Sequence, residues 1–126
     1  MFSHVVLGAN DLEASKKFYD AIIGAIGGNP GFTDPNGRVV YVHNGGVLLI
    51  TKPIDGQPAT AANGGTIGFK CVSPEQVRQF HDTAVAHGGT SIEDPPGLRE
   101  DTLGAMHLAY VRDPDGNKLC ALYRVK

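Results

Sequence analysis

The 126-residue sequence predicts an α+β fold built from two successive β-α-β-β-β units. Three features predict it. The two halves repeat: His4 and Thr66, Glu13 and Glu75, Phe18 and Phe80, Asp20 and Asp82, and Gly27 and Gly89 are each 62 residues apart. A spacing that holds through strand-like, helix-like and turn-like sequence is the signature of an internal duplication. Each half also opens with a short apolar run that leads through a capping pattern into an amphipathic stretch. Each half closes on two apolar runs joined by a tight-turn signal.

In the first half, residues 4–8 read as a strand with apolar residues on both faces. Asn10 stands three residues before Glu13, the spacing of a capping box, and predicts a helix running to about Ile23. Phe18 and Ile22 share one stripe of that helix, and Tyr19, Ile23 and Ile26 the next, which makes an apolar face for a sheet. Val39 to His43 and Val47 to Thr51 flank Asn44-Gly45, a strong hairpin signal. Residues 55–65 read as a linker. They divide a single domain into a first module of residues 1–54 and a second of residues 66–126.

The second half repeats this grammar from Thr66. Ser73 is the expected cap, Pro74 the first helical residue and Gln76 the completion of the box. That helix ends near His87, where Gly88 can take the left-handed conformation. Met106 to Arg112 and Lys118 to Tyr123 flank Asp113-Pro114-Asp115-Gly116, in which Pro presets φ and Gly accepts a positive one. The Gly45 and Gly116 turns are offset by 71 residues, because the second half carries a longer loop, Asp94 to Gly104.

Composition narrows the function classes. Hydrophobic residues make up 41% and charged residues 19%, as in ordinary globular domains, and the formal net charge is −2. Nothing in that balance points to a nucleic-acid or anionic-membrane partner. No apolar run approaches the length of a membrane helix, and the N-terminus lacks the basic-then-apolar pattern of a leader. The expected location is cytoplasmic, and Cys71 and Cys120 are expected to be reduced thiols there. No G-x-S-x-G, P-loop or dinucleotide fingerprint is present.

Two segments carry a family resemblance. His4-Val5-Val6-Leu7-Gly8-Ala9-Asn10-Asp11-Leu12, continuing to Ser15, Phe18 and Tyr19, resembles the opening H-x-x-L-x-V-x-D-L-x-x-S-x-x-F-Y of the vicinal-oxygen-chelate (glyoxalase/bleomycin-resistance/dioxygenase) superfamily. Tyr110-Val111-Arg112-Asp113-Pro114-Asp115-Gly116-Asn117-Lys118 resembles its closing hairpin. The resemblance implies two βαβββ modules whose strands form a cupped mixed sheet with the helices outside. It further implies a small-molecule ligand in the cup and a homodimer, with the cup formed either within one chain or between two.

Metal-using members of that superfamily take one ligand from the first and one from the last strand of each module, usually His, Gln or Glu. The resemblance places those positions at His4, Leu49, Thr66 and Cys120. The repeat supports the same alignment, since Thr66 follows His4 by 62 residues and Cys120 follows Leu49 by 71. Only His4 is an ordinary ligand for a hard divalent cation. Leu49 cannot coordinate, Thr66 offers a weak neutral hydroxyl, and Cys120 suits soft metals.

The leading expectation is therefore a cup that binds a small organic molecule with no metal cofactor, either for sequestration or for unconventional metal-free chemistry. Its ligand-binding candidates are His4, Leu49, Thr66, Lys70, Arg99 and Cys120, and its catalytic candidates His4, Cys120 and His107. Lys70 shares a face with Thr66. Arg99, in a loop read as the cup's edge or lid, suits bidentate capture of a carboxylate or phosphate. Cys120 reads as a reactive thiol or as a small packing residue, and His107 pairs with His4 only if its strand face lines the cup. A metal-dependent lyase or isomerase with displaced ligands, and an interaction protein with a filled cup, are the two competing readings.

Overall fold

The computed structural model describes residues 1–125. The chain runs β1 (Val5–Gly8), α1 (Leu12–Ala25), β2 (Phe32–Thr33), β3 (Val39–His43), β4 (Gly46–Thr51), β5 (Ile67–Lys70), α2 (Pro74–Ala86), β6 (Thr90–Asp101), β7 (Gly104–Arg112) and β8 (Lys118–Arg124). This is βαβββ twice. The strands make two four-stranded mixed sheets, ordered β1-β4-β3-β2 and β5-β8-β7-β6, with no hydrogen-bonded ladder joining them among the described residues. In each sheet the first strand of the module lies parallel to the last, and the remaining pairs are antiparallel.

Local chemistry explains most boundaries. Ser73 Oγ accepts from the Gln76 N–H at 3.1 Å, while Gln76 Oε1 accepts from the Val72 N–H at 2.8 Å, so α2 starts on a reciprocal cap with Pro74 behind it. The cap of α1 is Asp11, not Asn10: Asp11 Oδ1 accepts from the Ala14 N–H at 3.1 Å. Asn10 is taken by a tertiary contact, accepting from the Ala59 N–H at 2.7 Å and donating to the Ala59 carbonyl at 3.2 Å. α1 runs two residues past Ile23, to Ala25. The residues that leave the helices with positive φ are Gly27 and Gly88, so α2 is one residue shorter and the repeat spacing drops from 62 to 61 across the helices. Asn44 and Gly45 both have positive φ, 48° and 82°, the two-residue turn that suits the twist of a hairpin.

The segment expected to be a loop or lid is a strand. β6 pairs with β7 from Thr90 to Ile92 and again from Gly97 to Asp101. Its prolines and charges are tolerated because it is an edge strand, and Pro95 and Pro96 fall inside the register shift, where the ladder asks for no N–H. Glu93 carries the bend with a φ of 60°.

One core joins both modules. It contains Phe18, Tyr19 and Ile22 of α1, Val77, Phe80 and Ala84 of α2, and the helix-facing side chains of both sheets. The contacts between modules run through the two helices and through the turn after β7. At that turn the buried Asp113 accepts from the Tyr19 hydroxyl at 2.5 Å, from the Asn117 side chain at 2.8 Å, and from the Asn117 and Asp115 backbone N–H groups. Asp115 in turn accepts from the Asn10 N–H and from Ser15 Oγ, and Asn117 donates to the Gly8 carbonyl. Burial pushes the Tyr19 hydroxyl well above its usual range, and the Asp113 charge adds to it, so Tyr19 remains a donor.

Tyr19→Phe is expected to cost about 1.5–3 kcal/mol, the range for a hydrogen bond to a charged group, and Asp113→Ala more, because it strands several donors at once. Urea denaturation with an unchanged slope measures both. A loss below about 0.5 kcal/mol for Asp113→Ala, the scale of an ordinary surface substitution, would show that the turn does not hold the modules together.

Candidate functional site

Strand alternation gives each sheet one face against the helices and one face free of them. In the first sheet Val5, Leu7, Val39, Tyr41, Leu48 and Ile50 face the helices. The opposite face is apolar across its width: Val6, Leu49, Val40 and Phe32 stand side by side over the four strands, with Val47 and Val42 in the next row. Phe32 and Val42 are each 58% exposed, so this is an open apolar patch rather than core. His4 immediately precedes β1 on the same side as Val6 and is exposed, with Nδ1 2.7 Å from Ser3 Oγ.

In the second sheet the helix-free face has a buried centre of Met106, Leu108 and Cys120, with Tyr110 and Leu122 packed against them. Register sets the rows: Gly68, Cys120, Tyr110 and Ile92 in one, and Lys70, Leu122, Leu108 and Gly97 in the next. Arg124, Met106 and Arg99 form a third row beyond Leu122, and Lys118 and Arg112 lie beyond Cys120. Lys70 and Thr66 are exposed, and Arg99 is half-buried, with Nη2 donating to the Asp94 and Pro95 carbonyls at 3.3 and 3.0 Å.

Beside Cys120 lies a small polar group that sequence reasoning did not single out. The Lys118 ammonium sits 4.8 Å from the centre of the Tyr110 ring and pairs with Glu93. Burial pushes the Cys120 thiol up; the hydrogen bond with Tyr110 pulls it back only in part, and Glu93 raises it again. Burial likewise pushes Cys71 up to about 11. Neither thiol is the thiolate a nucleophile requires at neutral pH. The pointer to Tyr110 and Lys118 was their alternation with Leu108 and Cys120, once the side of the sheet is known.

His107 does not join this site. It lies on the opposite face of β7, the face of Ala109 and Val111 that meets the helix layer. There it lines a groove of about 440 Å³ with Glu75, Arg78 and Asp82 of α2 and Pro96 and Gly97 of β6. His107 thus faces α2, away from the helix-free side on which His4 precedes β1. A second groove, of about 560 Å³, runs between the modules, lined by Val5, Ile23, Ile26, Leu48, Ile67 and Phe69. It opens beside β1 and β5, each an edge strand of its sheet.

The sequence model of the Glyoxalase/Bleomycin resistance protein/Dioxygenase superfamily matches residues 1–121. The chain belongs to this superfamily. A crystal structure of a glyoxalase/bleomycin resistance protein from Albidiferax ferrireducens T118 is 55% identical, covers 98% of this chain and 99% of that one, and superposes with a TM-score of 0.95. A glyoxalase-related enzyme from Fulvimarina pelagi is 26% identical over 96% of this chain and 86% of its own, with a TM-score of 0.72. A lactoylglutathione lyase from Agrobacterium tumefaciens, 19% identical over 98% of this chain and 92% of its own with a TM-score of 0.67, shares the fold. No curated protein matches the chain.

The superfamily's usual divalent metal can be tested against the donors present. Leu49 lies in the first sheet, with His4 just before β1, and Cys120 in the second, with Thr66 just before β5. Leu49 has no donor atom, and Cys120 offers a soft sulfur whose Sγ points to the Ala121 carbonyl at 3.6 Å. Among the described residues no three His, Cys, Asp or Glu side chains gather where an ion could sit. A hard cation needs several oxygen or nitrogen ligands, and this set does not fit one.

Alkylation of Cys120 by iodoacetamide, followed by mass spectrometry, is expected to be slow at neutral pH. Its rate should climb with pH and level off only above the ordinary thiol value of 9.0, because burial raises the pKa. Tyr110→Phe, which removes the hydrogen bond that lowers this pKa, should move the rise to still higher pH. Rapid modification at neutral pH would make Cys120 a reactive group after all.

Proposed function

We propose that the chain binds a small organic molecule on the helix-free face around Cys120, Tyr110 and Leu122, in a cup that employs no hard divalent metal. The observation that carries this reading is the donor set His4, Leu49, Thr66 and Cys120, which retains one ordinary ligand in an otherwise family-like frame. Sequestration or simple binding suits the site better than catalysis. Its thiol is held protonated, and its histidine candidates fall on different surfaces. His4, Leu49, Thr66, Lys70, Arg99 and Cys120 are proposed as the residues around the ligand, with Tyr110 and Lys118 added to them.

A homodimer accompanies this reading. Among the described residues no hydrogen-bonded ladder joins the two sheets, while β1 and β5 present free edges beside an apolar groove. A second copy lying along those edges would cover the groove and bring the apolar face of one module towards the Cys120 face of the other. No helix among the described residues is long and apolar enough to cross a membrane, and the proposed location is the cytoplasm.

Elemental analysis after dialysis tests the metal-free reading. Nickel, zinc, iron and manganese are expected far below one equivalent per chain, with thermal stability unmoved by a chelator. Near-stoichiometric metal, together with an activity lost to the chelator, would install the metal-dependent lyase or isomerase instead. Light scattering in solution should return the mass of two chains; a single chain at micromolar concentration would remove the dimer.

A further inference from the structure

The charges on the helix-free face of the second sheet are not those of the chain as a whole. The chain carries a formal charge of −2, yet this face presents five cations: Lys70, Arg99, Arg112, Lys118 and Arg124. They stand around the apolar centre of Met106, Leu108, Cys120 and Leu122 rather than within it. Lys70, Arg99 and Arg124 flank Leu122 and Met106 at one end, and Lys118 and Arg112 lie at the other.

Most of that positive charge is uncompensated. Among the described residues, Lys118 pairs with Glu93, whereas none of Lys70, Arg99, Arg112 and Arg124 forms an ion pair. Asp101, on the same face, adds one further negative charge at the turn, where it accepts from the Leu103 N–H at 2.7 Å, so the cations still outnumber the anions. Neutral carbonyls anchor the three guanidinium groups. Arg99 is held by Asp94 and Pro95, Arg112 by Gly116 at 2.7 Å, and Arg124 by Leu103 at 2.9 Å. A carbonyl fixes a guanidinium without cancelling its charge, and the remaining N–H groups stay available in a fork that fits two oxygens. Preorganised cations around a desolvated apolar floor select a ligand that is apolar in one part and anionic in another.

We infer that the molecule bound on this face is an organic anion, its carboxylate, sulfonate or phosphonate group held at the Lys70–Arg99–Arg124 end and its apolar part lying over Leu122 and Tyr110, which pack against the buried Met106, Leu108 and Cys120. This rests on the proposal that the face is a binding site and adds the chemical class of what it takes. The net-negative chain would otherwise disfavour anions, so the selectivity must come from the local arrangement.

Three probes with one ring system and three charges test it: naphthalenesulfonate, naphthylmethanol and naphthylmethylammonium. Affinity is read by calorimetry and position by backbone amide shifts. The sulfonate is expected to bind about tenfold or more tighter than the other two, a difference of about 1.4 kcal/mol, with shifts at Leu108, Cys120 and Leu122 and weakening as salt is raised. Lys70→Glu with Arg124→Glu, both exposed positions, should abolish that preference. Lys17→Glu with Arg78→Glu, an equal change of charge on the helices, should leave it intact. Equal binding of all three probes at the same amides would overturn the anion inference while leaving the binding face standing. So would an equal loss in both double variants, which would assign the effect to net charge. Absence of binding by any probe would overturn the binding face and the inference together.

Discussion

The buried carboxylate of Asp113 is the constraint on which the arrangement depends. A charge removed from water needs donors, and this one takes them from its own turn and from Tyr19 of the other module. Once it is satisfied, the turn after β7 cannot leave the start of α1, and the two helices are held together in a common core. The helix-facing side of each sheet is thereby largely committed to packing, apart from the groove at His107 and the groove between the modules. The other side of each sheet is left open, so the identity of side chains at alternate strand positions decides what that surface can do.

Those alternate positions differ between the modules. The first presents valine, leucine and phenylalanine, and the second a ring of cations around methionine, leucine and cysteine. Duplication has thus preserved the backbone scheme while the two open faces have taken on different chemistry. The positions from which the superfamily usually holds a metal fall at these same faces, and three of the four carry a side chain with no donor atom, a weak neutral hydroxyl or a soft sulfur. On the proposed metal-free reading, the cup has no fixed positive charge from an ion. Lys70, Arg99, Arg112, Lys118 and Arg124 supply positive charge there by another route, spread over a rim instead of concentrated at a point.

Much of this was legible in the sequence where local physics decides. Asn44-Gly45 and the Ser73-Pro74-Gln76 start announce themselves because turn and cap geometry depend on adjacent residues. The duplication was legible because it needs only comparison of the chain with itself. Where tertiary contacts decide, local signals misled. Asn10 looks as good a cap as Asp11 until Ala59 claims its side chain. β6 looks like a loop because proline and charge are poor strand formers, but an edge strand with a register shift needs few ladder hydrogen bonds. Alternation separated His107 from Tyr110 but could not say which face meets α2. The small Ala109 and Ala121, paired across β7 and β8, let the helix layer approach there, and His107 goes with them.

Crystals grown with manganese and, separately, with nickel provide the most direct measurement of whether the cup is free of hard cations. Anomalous difference maps are predicted to show no ordered ion beside His4, Leu49, Thr66 or Cys120. An octahedral ion there, clasped by imidazole and by carboxylates brought from elsewhere in the assembly, would contradict the metal-free cup.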